Sequence, residues 1–148
     1  MTEKEMRPTV VKWLEDQGLY VAHEVSVSGG WCDLVGVLWA DRVGRRIPPI
    51  MLIMAVELKI TDVAGVLYQA RGNLENCDFS YAAMPAERCE KMRPATLRMF
   101  TDAGIGLLSV NSGVRTVIPP KCHPITEYHP LIARRIWDFK RRHGKEMG

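Results

Sequence analysis

Several hallmarks of membrane, secreted and zinc-binding proteins are missing from this sequence of 148 residues. The longest unbroken apolar run, Ile50 to Val56, has seven residues, whereas a helix that spans a bilayer needs about 20. The chain begins Met-Thr-Glu-Lys-Glu with no apolar segment behind it, so no signal peptide is expected. The four cysteines (Cys32, Cys77, Cys89 and Cys122) form no CxxC pair, which disfavours a zinc ribbon or finger and is typical of a reduced protein. These absences predict a cytoplasmic protein that does not enter a membrane.

The sequence also lacks a strong overall charge and a nucleotide-binding loop. Its formal net charge is +3, but residues 121–148 have a net charge of +4 and the first 120 residues have −1. A near-neutral body with a basic tail suits a polyanion such as nucleic acid. Neither Gly29-Gly30 nor Gly104-Ile105-Gly106 continues as a GxGxxG phosphate-binding loop, which disfavours hydrolysis of a nucleoside triphosphate.

What the sequence does contain is enough apolar material for one folded domain. Apolar residues make up 47% of the chain, which is ample for a buried core at this length. No repeat or Gly/Ser-rich linker divides the chain. We therefore predict a single domain over residues 1–120 and a basic C-terminal extension with a helix over residues 121–148.

Hydrophobic periodicity predicts an α/β fold in which helices and strands alternate along the chain. Pro8 suggests that the regular part of the first helix begins near Arg7. Asp62 is placed to cap the second helix, and Pro94 to interrupt the third. Strands are predicted at 19–28, 31–39, 50–60, 79–83, 105–110 and 114–118, and helices at 2–17, 63–74, 86–103 and 130–142. This order predicts a central mixed β-sheet flanked by helices, with a basic C-terminal helix.

Charged residues are found in two of the most apolar predicted strands. Asp33 lies in the second strand, and Glu57-Leu58-Lys59 ends the third. Glu57 and Lys59 share one face of a strand, and a hairpin between the two strands would bring Asp33 close to Glu57. Two carboxylates beside a backbone carbonyl suit Mg²⁺ or Mn²⁺, and a nearby lysine can stabilise charge on phosphate oxygens. The structural alternative is that Glu57 and Lys59 form an ion pair at the end of the sheet.

This combination resembles the restriction-endonuclease-like nucleases of the PD-(D/E)xK superfamily. The similarity spans residues 2–118, and small members such as the archaeal Holliday-junction resolvases and the virus-type replication-repair nuclease domains are similar in size. One departure is Cys32, which stands where the motif has proline. The matching residues are Asp33, Glu57-Leu58-Lys59, Tyr68-Gln69-Ala70, an acidic residue in the first helix, and Tyr81-Ala82-Ala83-Met84-Pro85.

The resemblance implies a restriction-endonuclease-like fold and a metal-dependent deoxyribonuclease that hydrolyses phosphodiester bonds. Asp33, Glu57 and the carbonyl group of Leu58 would hold Mg²⁺ or Mn²⁺. Lys59 would be the catalytic lysine, and Gln69 would orient the phosphate or the water.

The resemblance also implies a further carboxylate contributed by the first helix. Glu5 is the first choice for this additional catalytic residue, and Glu3 is the alternative. Glu24, on the strand that precedes Asp33, is another candidate carboxylate.

Basic residues predicted to contact DNA lie in two segments, the connection before the third strand and the C-terminal helix. The helix has an apolar side that can dock on the domain, which leaves its basic side for phosphate groups. The rival hypothesis is a non-catalytic nucleic-acid-binding or inhibitory protein on the same scaffold, whose affinity would depend on salt and not on Mg²⁺. A homodimer or a protein partner is a further possibility. The predicted DNA-binding residues are Arg42, Arg45, Arg46, Arg134, Arg135, Lys140, Arg141 and Arg142.

Overall fold

The computed structural model describes residues 1–27, 30–40, 49–124 and 130–143. The strands are β1 (Tyr20–Val27), β2 (Gly30–Trp39), β3 (Ile50–Leu58), β4 (Phe79–Pro85), β5 (Gly106–Val110) and β6 (Val114–Ile118). The helices are α1 (Glu3–Glu15), α2 (Val63–Gly72), α3 (Ala86–Glu90), α4 (Pro94–Ala103) and α5 (Pro130–His143), with a 3₁₀ turn at Asn73–Glu75 after α2. The predicted α/β class is confirmed.

The six strands form one mixed sheet in which the spatial order follows the chain order, β1 to β6. Strands β3, β4 and β5 are parallel, whereas β1–β2, β2–β3 and β5–β6 are antiparallel. Parallel neighbours end at the same side of a sheet, so Leu58, Pro85 and Val110 lie along one edge, which we call the carboxyl edge. The side chain of Glu57 is therefore attached next to this edge.

Helices cover both faces of the sheet. On one face, α1 buries Met6, Val10 and Leu14 against side chains of the central strands. On the other face, α2 and α4 form a cluster with β4 and β5, and α5 joins a cluster with β1, β2 and β3. The apolar residues at helical spacing in the sequence are thus the ones that face the sheet.

Helix α1 confirms the helix predicted at residues 2–17, but its regular part begins earlier than Pro8 suggests. It starts at Glu3, not near Arg7, and Pro8 lies inside it. The hydroxyl group of Thr2 accepts a hydrogen bond of 3.1 Å from the third helical amide and so caps the helix. Pro8 cannot donate to the carbonyl group of Lys4, but Lys4 is exposed, so water can replace that hydrogen bond.

The other two helix signals are confirmed. The carboxylate of Asp62 accepts a hydrogen bond of 2.8 Å from the amide of Gly65 and caps α2. Pro94 is the first residue of α4 and separates it from α3. Gly104 ends α4 with φ +74°, a left-handed conformation that favours glycine.

Helix α5 packs against β1 and contributes to the core. Ile136 is fully buried in the cluster of β1, β2 and β3. The ring of Phe139 lies 6.5 Å from that of Tyr20 and 5.9 Å from that of His23, measured between centroids. Within the described ranges, no helix has the length and apolar character needed to cross a membrane.

We predict that Ile136→Ala lowers the free energy of unfolding by about 2–5 kcal/mol, because it removes a fully buried side chain and leaves a cavity. Denaturant unfolding followed by circular dichroism measures the change. The control is Met99→Ala on α4, where the side chain is half exposed and the expected change is within about 0.5 kcal/mol. Equal stability of both variants would show that α5 does not dock on the sheet in solution.

Candidate active site

The antiparallel pairing of β2 and β3 brings Asp33 and Glu57 together. Leu34 pairs with Val56, so Asp33 lies opposite Glu57 on the neighbouring strand. The Oδ2 atom of Asp33 accepts a hydrogen bond of 2.8 Å from the amide of Leu58, and its carboxyl group lies close enough to Glu57 to raise the pKa of that acid. The expected proximity of these two residues is confirmed.

Glu57 is a buried acid, with 2% of its surface exposed. Its Oε1 atom accepts a hydrogen bond of 2.9 Å from the Nδ2 atom of Asn73, in the turn that follows α2. Asn73 is itself 4% exposed, and its Nδ2 atom also lies 3.6 Å from the sulfur of Cys32. The end of α2 therefore holds one oxygen of the Glu57 carboxyl group from the side opposite α1.

Burial raises the pKa of Glu57 from its ordinary 4.5 to about 8. The hydrogen bond from Asn73 lowers this pKa, whereas the neighbouring Asp33 carboxyl group raises it. Two adjacent carboxylates repel each other, so the second of them is harder to ionise. At neutral pH the metal-free pair therefore holds a proton that ordinary glutamates have lost.

Lys59 follows directly after β3, at the carboxyl edge. It is half-buried, and its amide donates a hydrogen bond of 3.1 Å to the carbonyl group of Ala83 on β4. The ion pairs between described residues do not include one between Glu57 and Lys59, the alternative interpretation of this motif. Gln69 is exposed on α2, four residues before Asn73 and hence on the same side of the helix.

From α1, it is Arg7 rather than a glutamate that contacts the site. The Nη1 atom of Arg7 donates a hydrogen bond of 3.1 Å to the carbonyl oxygen of Asp33. Glu3 and Glu5 are exposed in the first turn of α1, and among the described residues neither carboxylate is paired with Asp33 or Glu57. The assignment of Glu5 as a catalytic residue stays a prediction.

Glu24 lies beside the site in an unusual backbone conformation. Its φ is +51°, and its carboxylate forms an ion pair of 2.8 Å with Arg7. In the β1–β2 ladder, where residues 20–27 and 30–37 are all described, Glu24 and Asp33 are the two facing residues that do not pair. The predicted further carboxylate on this strand is thus close to Asp33, but it is bound to an arginine.

Of the two segments predicted to bind DNA, the structure describes the C-terminal helix. Arg42, Arg45 and Arg46 lie outside the described residues. On α5, Arg135 donates a hydrogen bond of 3.1 Å to the carbonyl group of Ser26, and Arg134 forms an ion pair of 3.3 Å with Asp138.

The remaining basic residues of α5 have two kinds of surroundings. Lys140 lies over the rings of Tyr20 and Trp137, 5.6 and 5.2 Å from their centroids, so part of its side chain is used in packing. Arg141 and Arg142 are exposed. Together with Arg134 and Arg135, they form one stripe along the outer side of α5, which we call the arginine stripe.

Two residues at the site, Arg7 and Asn73, were missed by the sequence analysis. Arg7 is an ordinary charged position in a helical pattern, and Asn73 follows the last turn of α2 without a motif around it. No local sequence pattern marks either residue, because the rotation of α1 and α2 against the sheet determines which of their side chains reach the site. Among the described residues, no group of three or more His, Cys, Asp or Glu side chains is arranged to hold a metal ion.

Comparison with known proteins finds structural similarity to a protein whose function is unknown. No family model and no curated protein matches the chain. The solved structure of a protein of unknown function from Silicibacter pomeroyi is similar, with a TM-score of 0.60 and 18% sequence identity. The match covers 96% of this chain and 86% of that one. At this identity, the similarity shows a shared fold alone.

We predict that the metal-free protein becomes less stable as the pH rises from about 5 to about 8. The raised pKa of Glu57 means that the folded state binds more protons than the unfolded state in this window, so the free energy of unfolding falls with pH. The slope from this residue is at most about 1.4 kcal/mol for each pH unit.

Denaturant titrations in EDTA across this window measure the slope. In Glu57→Gln, which has no proton to lose, the slope should be smaller, whereas Glu15→Gln, at an exposed position of α1, should leave it unchanged. A slope that is the same in Glu57→Gln and in the unmodified protein would refute the buried proton.

Proposed function

We propose that this protein is a nuclease of the restriction-endonuclease-like, PD-(D/E)xK type, which uses Mg²⁺ or Mn²⁺ to hydrolyse phosphodiester bonds in DNA. The observation that supports it most directly is the position of Asp33 opposite Glu57, with its carboxylate bound to the amide of Leu58, next to the carboxyl edge of the sheet. Strand order and helix placement are also consistent with the resemblance that the sequence motif suggests.

The donor set at this pair fits a hard divalent cation. Two neighbouring carboxyl groups, one of them buried, retain a proton because their charges repel each other. A divalent cation can replace that proton, and oxygen ligands of this kind are those that Mg²⁺ and Mn²⁺ prefer. Asp33, Glu57 and the carbonyl group of Leu58 would hold the ion.

The other residues of the site have separate tasks in the proposed reaction. A bound Mg²⁺ or Mn²⁺ would lower the pKa of a water molecule and neutralise charge on the phosphate. Lys59 would stabilise the negative charge that develops on the phosphate oxygens. Asn73 holds the Glu57 carboxyl group in place, and Gln69 would orient the phosphate or the attacking water from the same side of α2.

The arginine stripe of α5 supports DNA as the substrate. Its pairs, Arg134–Arg135 and Arg141–Arg142, are seven residues apart, which is about 10.5 Å along a helix. The apolar side of α5 is buried on β1, so the stripe is fixed to the domain. Charged side chains on a fixed helix are suited to contact successive phosphate groups.

We predict that Lys59→Ala slows DNA cleavage by about 10²-fold or more, because an oxyanion-stabilising group is lost, while DNA affinity changes little. Supercoiled, linear, single-stranded and branched DNA are incubated with Mn²⁺, Mg²⁺ or EDTA, and products are followed on gels. Glu57→Gln should be inactive with either metal. Lys91→Ala, at an exposed position between α3 and α4, is the control and should cleave normally.

The same assay separates the nuclease from the rival class. Cleavage that EDTA and Glu57→Gln both abolish supports the nuclease. DNA binding that is unaffected by EDTA, with no cleavage of any substrate, favours a non-catalytic binding or inhibitory protein. Normal cleavage by Lys59→Ala would remove this lysine from the mechanism.

We predict that replacing Arg141 and Arg142 by glutamine weakens DNA binding and lowers the salt dependence of the binding constant. Each lost phosphate contact reduces the slope of log K against log [salt] by about 0.9. Fluorescence anisotropy between roughly 50 and 200 mM NaCl, measured in EDTA, gives the slope. Replacing Lys91 and Arg98, both exposed on the α3–α4 side, is the charge-matched control; equal slopes in the two variants would contradict a DNA-binding role for α5.

A further inference from the structure

We infer that Arg7 is a positioning residue for Asp33, acting through the main chain where the β1–β2 ladder opens. The inference rests on the proposed function only in that Asp33 is taken as a metal ligand. The geometric part, that Arg7 determines where the Asp33 carboxylate lies, is independent of any activity.

The guanidinium group of Arg7 joins three acceptors from two strands. Nη1 donates to the carbonyl oxygen of Asp33 over 3.1 Å and contacts Nδ1 of His23 at 3.3 Å, while Nη2 donates to Glu24 over 2.8 Å. Arginine has no acceptor, so Nδ1 of His23 accepts. Burial and the charge of Arg7 lower the pKa of His23, which is consistent with an unprotonated Nδ1.

These contacts coincide with a break in the regular alternation of both strands. Ala22 and Val25 pack in the same cluster although they are three residues apart, and so do Cys32 and Val35. In a regular strand, residues three apart face opposite sides of the sheet. The break occurs at Glu24 on β1 and at Asp33 on β2, the two facing residues that the ladder leaves unpaired.

The break is strained, and Arg7 compensates for it. Glu24 has φ +51°, a left-handed conformation that a glutamate rarely adopts and that is strained. The ion pair between Arg7 and Glu24 favours this conformation, and the hydrogen bond from Arg7 satisfies a carbonyl group of Asp33 at the point where strand pairing is interrupted. The side chain of Asp33 is thereby directed to the amide of Leu58 and to Glu57.

The shape of the arginine side chain is needed for this role. One planar guanidinium group reaches a carbonyl oxygen and a carboxylate at the same time, which the single ammonium group of lysine does less well. Arg7 is 27% exposed in its side chain, and Glu24 55%. Because the ion pair is partly exposed, its Coulombic part alone contributes little, and the hydrogen bond to Asp33 is the contact that matters for position.

The amide of Leu58 provides a readout that does not depend on catalysis, because it donates to the Asp33 carboxylate. Amide hydrogen exchange of ¹⁵N-labelled protein is measured by NMR in EDTA. In Arg7→Met, the exchange of the Leu58 amide should accelerate by about tenfold or more, since hydrogen bonds to charged groups contribute at this level. Arg7→Lys should give an intermediate rate.

Lys12→Met is the matched control, because it removes an ion pair of 2.8 Å between Lys12 and Asp16 on the same helix. Its Leu58 exchange rate should equal that of the unmodified protein. An unchanged Leu58 rate in a folded Arg7→Met variant overturns the inference. If Arg7→Met does not fold, Glu24→Gln and Arg7→Lys decide instead, and unchanged Leu58 rates in both overturn it.

Metal binding and kinetics give the second readout. Calorimetric titration with Mn²⁺ should show an affinity lowered by about tenfold in Arg7→Met and unchanged in Lys12→Met. If the protein cleaves DNA, kcat should fall while KM for DNA is little changed. Faster Leu58 exchange without any cleavage activity in the unmodified protein would refute the nuclease and support the positioning role, whereas active cleavage with normal exchange, affinity and kcat in Arg7→Met would refute only the positioning role.

Discussion

The position of Asp33 opposite the buried acid Glu57 is the constraint around which this end of the molecule is organised. Two neighbouring like charges, one of them buried, are stable only with a proton or a cation. Each carboxyl group is therefore held by its own donor, the amide of Leu58 for Asp33 and Asn73 for Glu57. Removing the Asn73 side chain would leave a buried oxygen of Glu57 without this partner, which costs more than the hydrogen bond itself contributes.

The sheet topology explains why the pair lies next to the carboxyl edge of the sheet. The parallel arrangement of β3, β4 and β5 collects their C-terminal ends at one edge, and the antiparallel β2 brings Asp33 to the same place from the opposite direction. Lys59 follows at the end of β3, where the chain leaves the sheet. The buried strands thus fix the carboxyl groups, while the lysine lies at the boundary with solvent.

Much of this arrangement could be predicted from the sequence, because burial leaves a periodic pattern. The apolar run of β3 identifies a central strand, and the antiparallel pairing that follows from a hairpin brings Asp33 opposite Glu57. Hydrophobic periodicity does not show how the polar side of a helix is rotated at the edge of a sheet. It therefore could not show that Arg7, and not Glu5, contacts the site. It also assumes regular alternation, which fails at Glu24 because a local ion pair and hydrogen bond stabilise a strained backbone.

The repulsion between the carboxylates of Asp33 and Glu57 would weaken the metal-free fold, and the same repulsion would favour binding of a cation to the pair. When the pH rises toward 8, Glu57 loses its proton, and its negative charge then repels that of Asp33. A ligand that binds the folded state alone stabilises it, and a divalent cation held by the two carboxylates would do so by neutralising that repulsion. Stability and metal affinity should therefore change in opposite senses with pH. If Glu57 instead formed a purely structural ion pair, the free energy of unfolding would increase as the acid ionises.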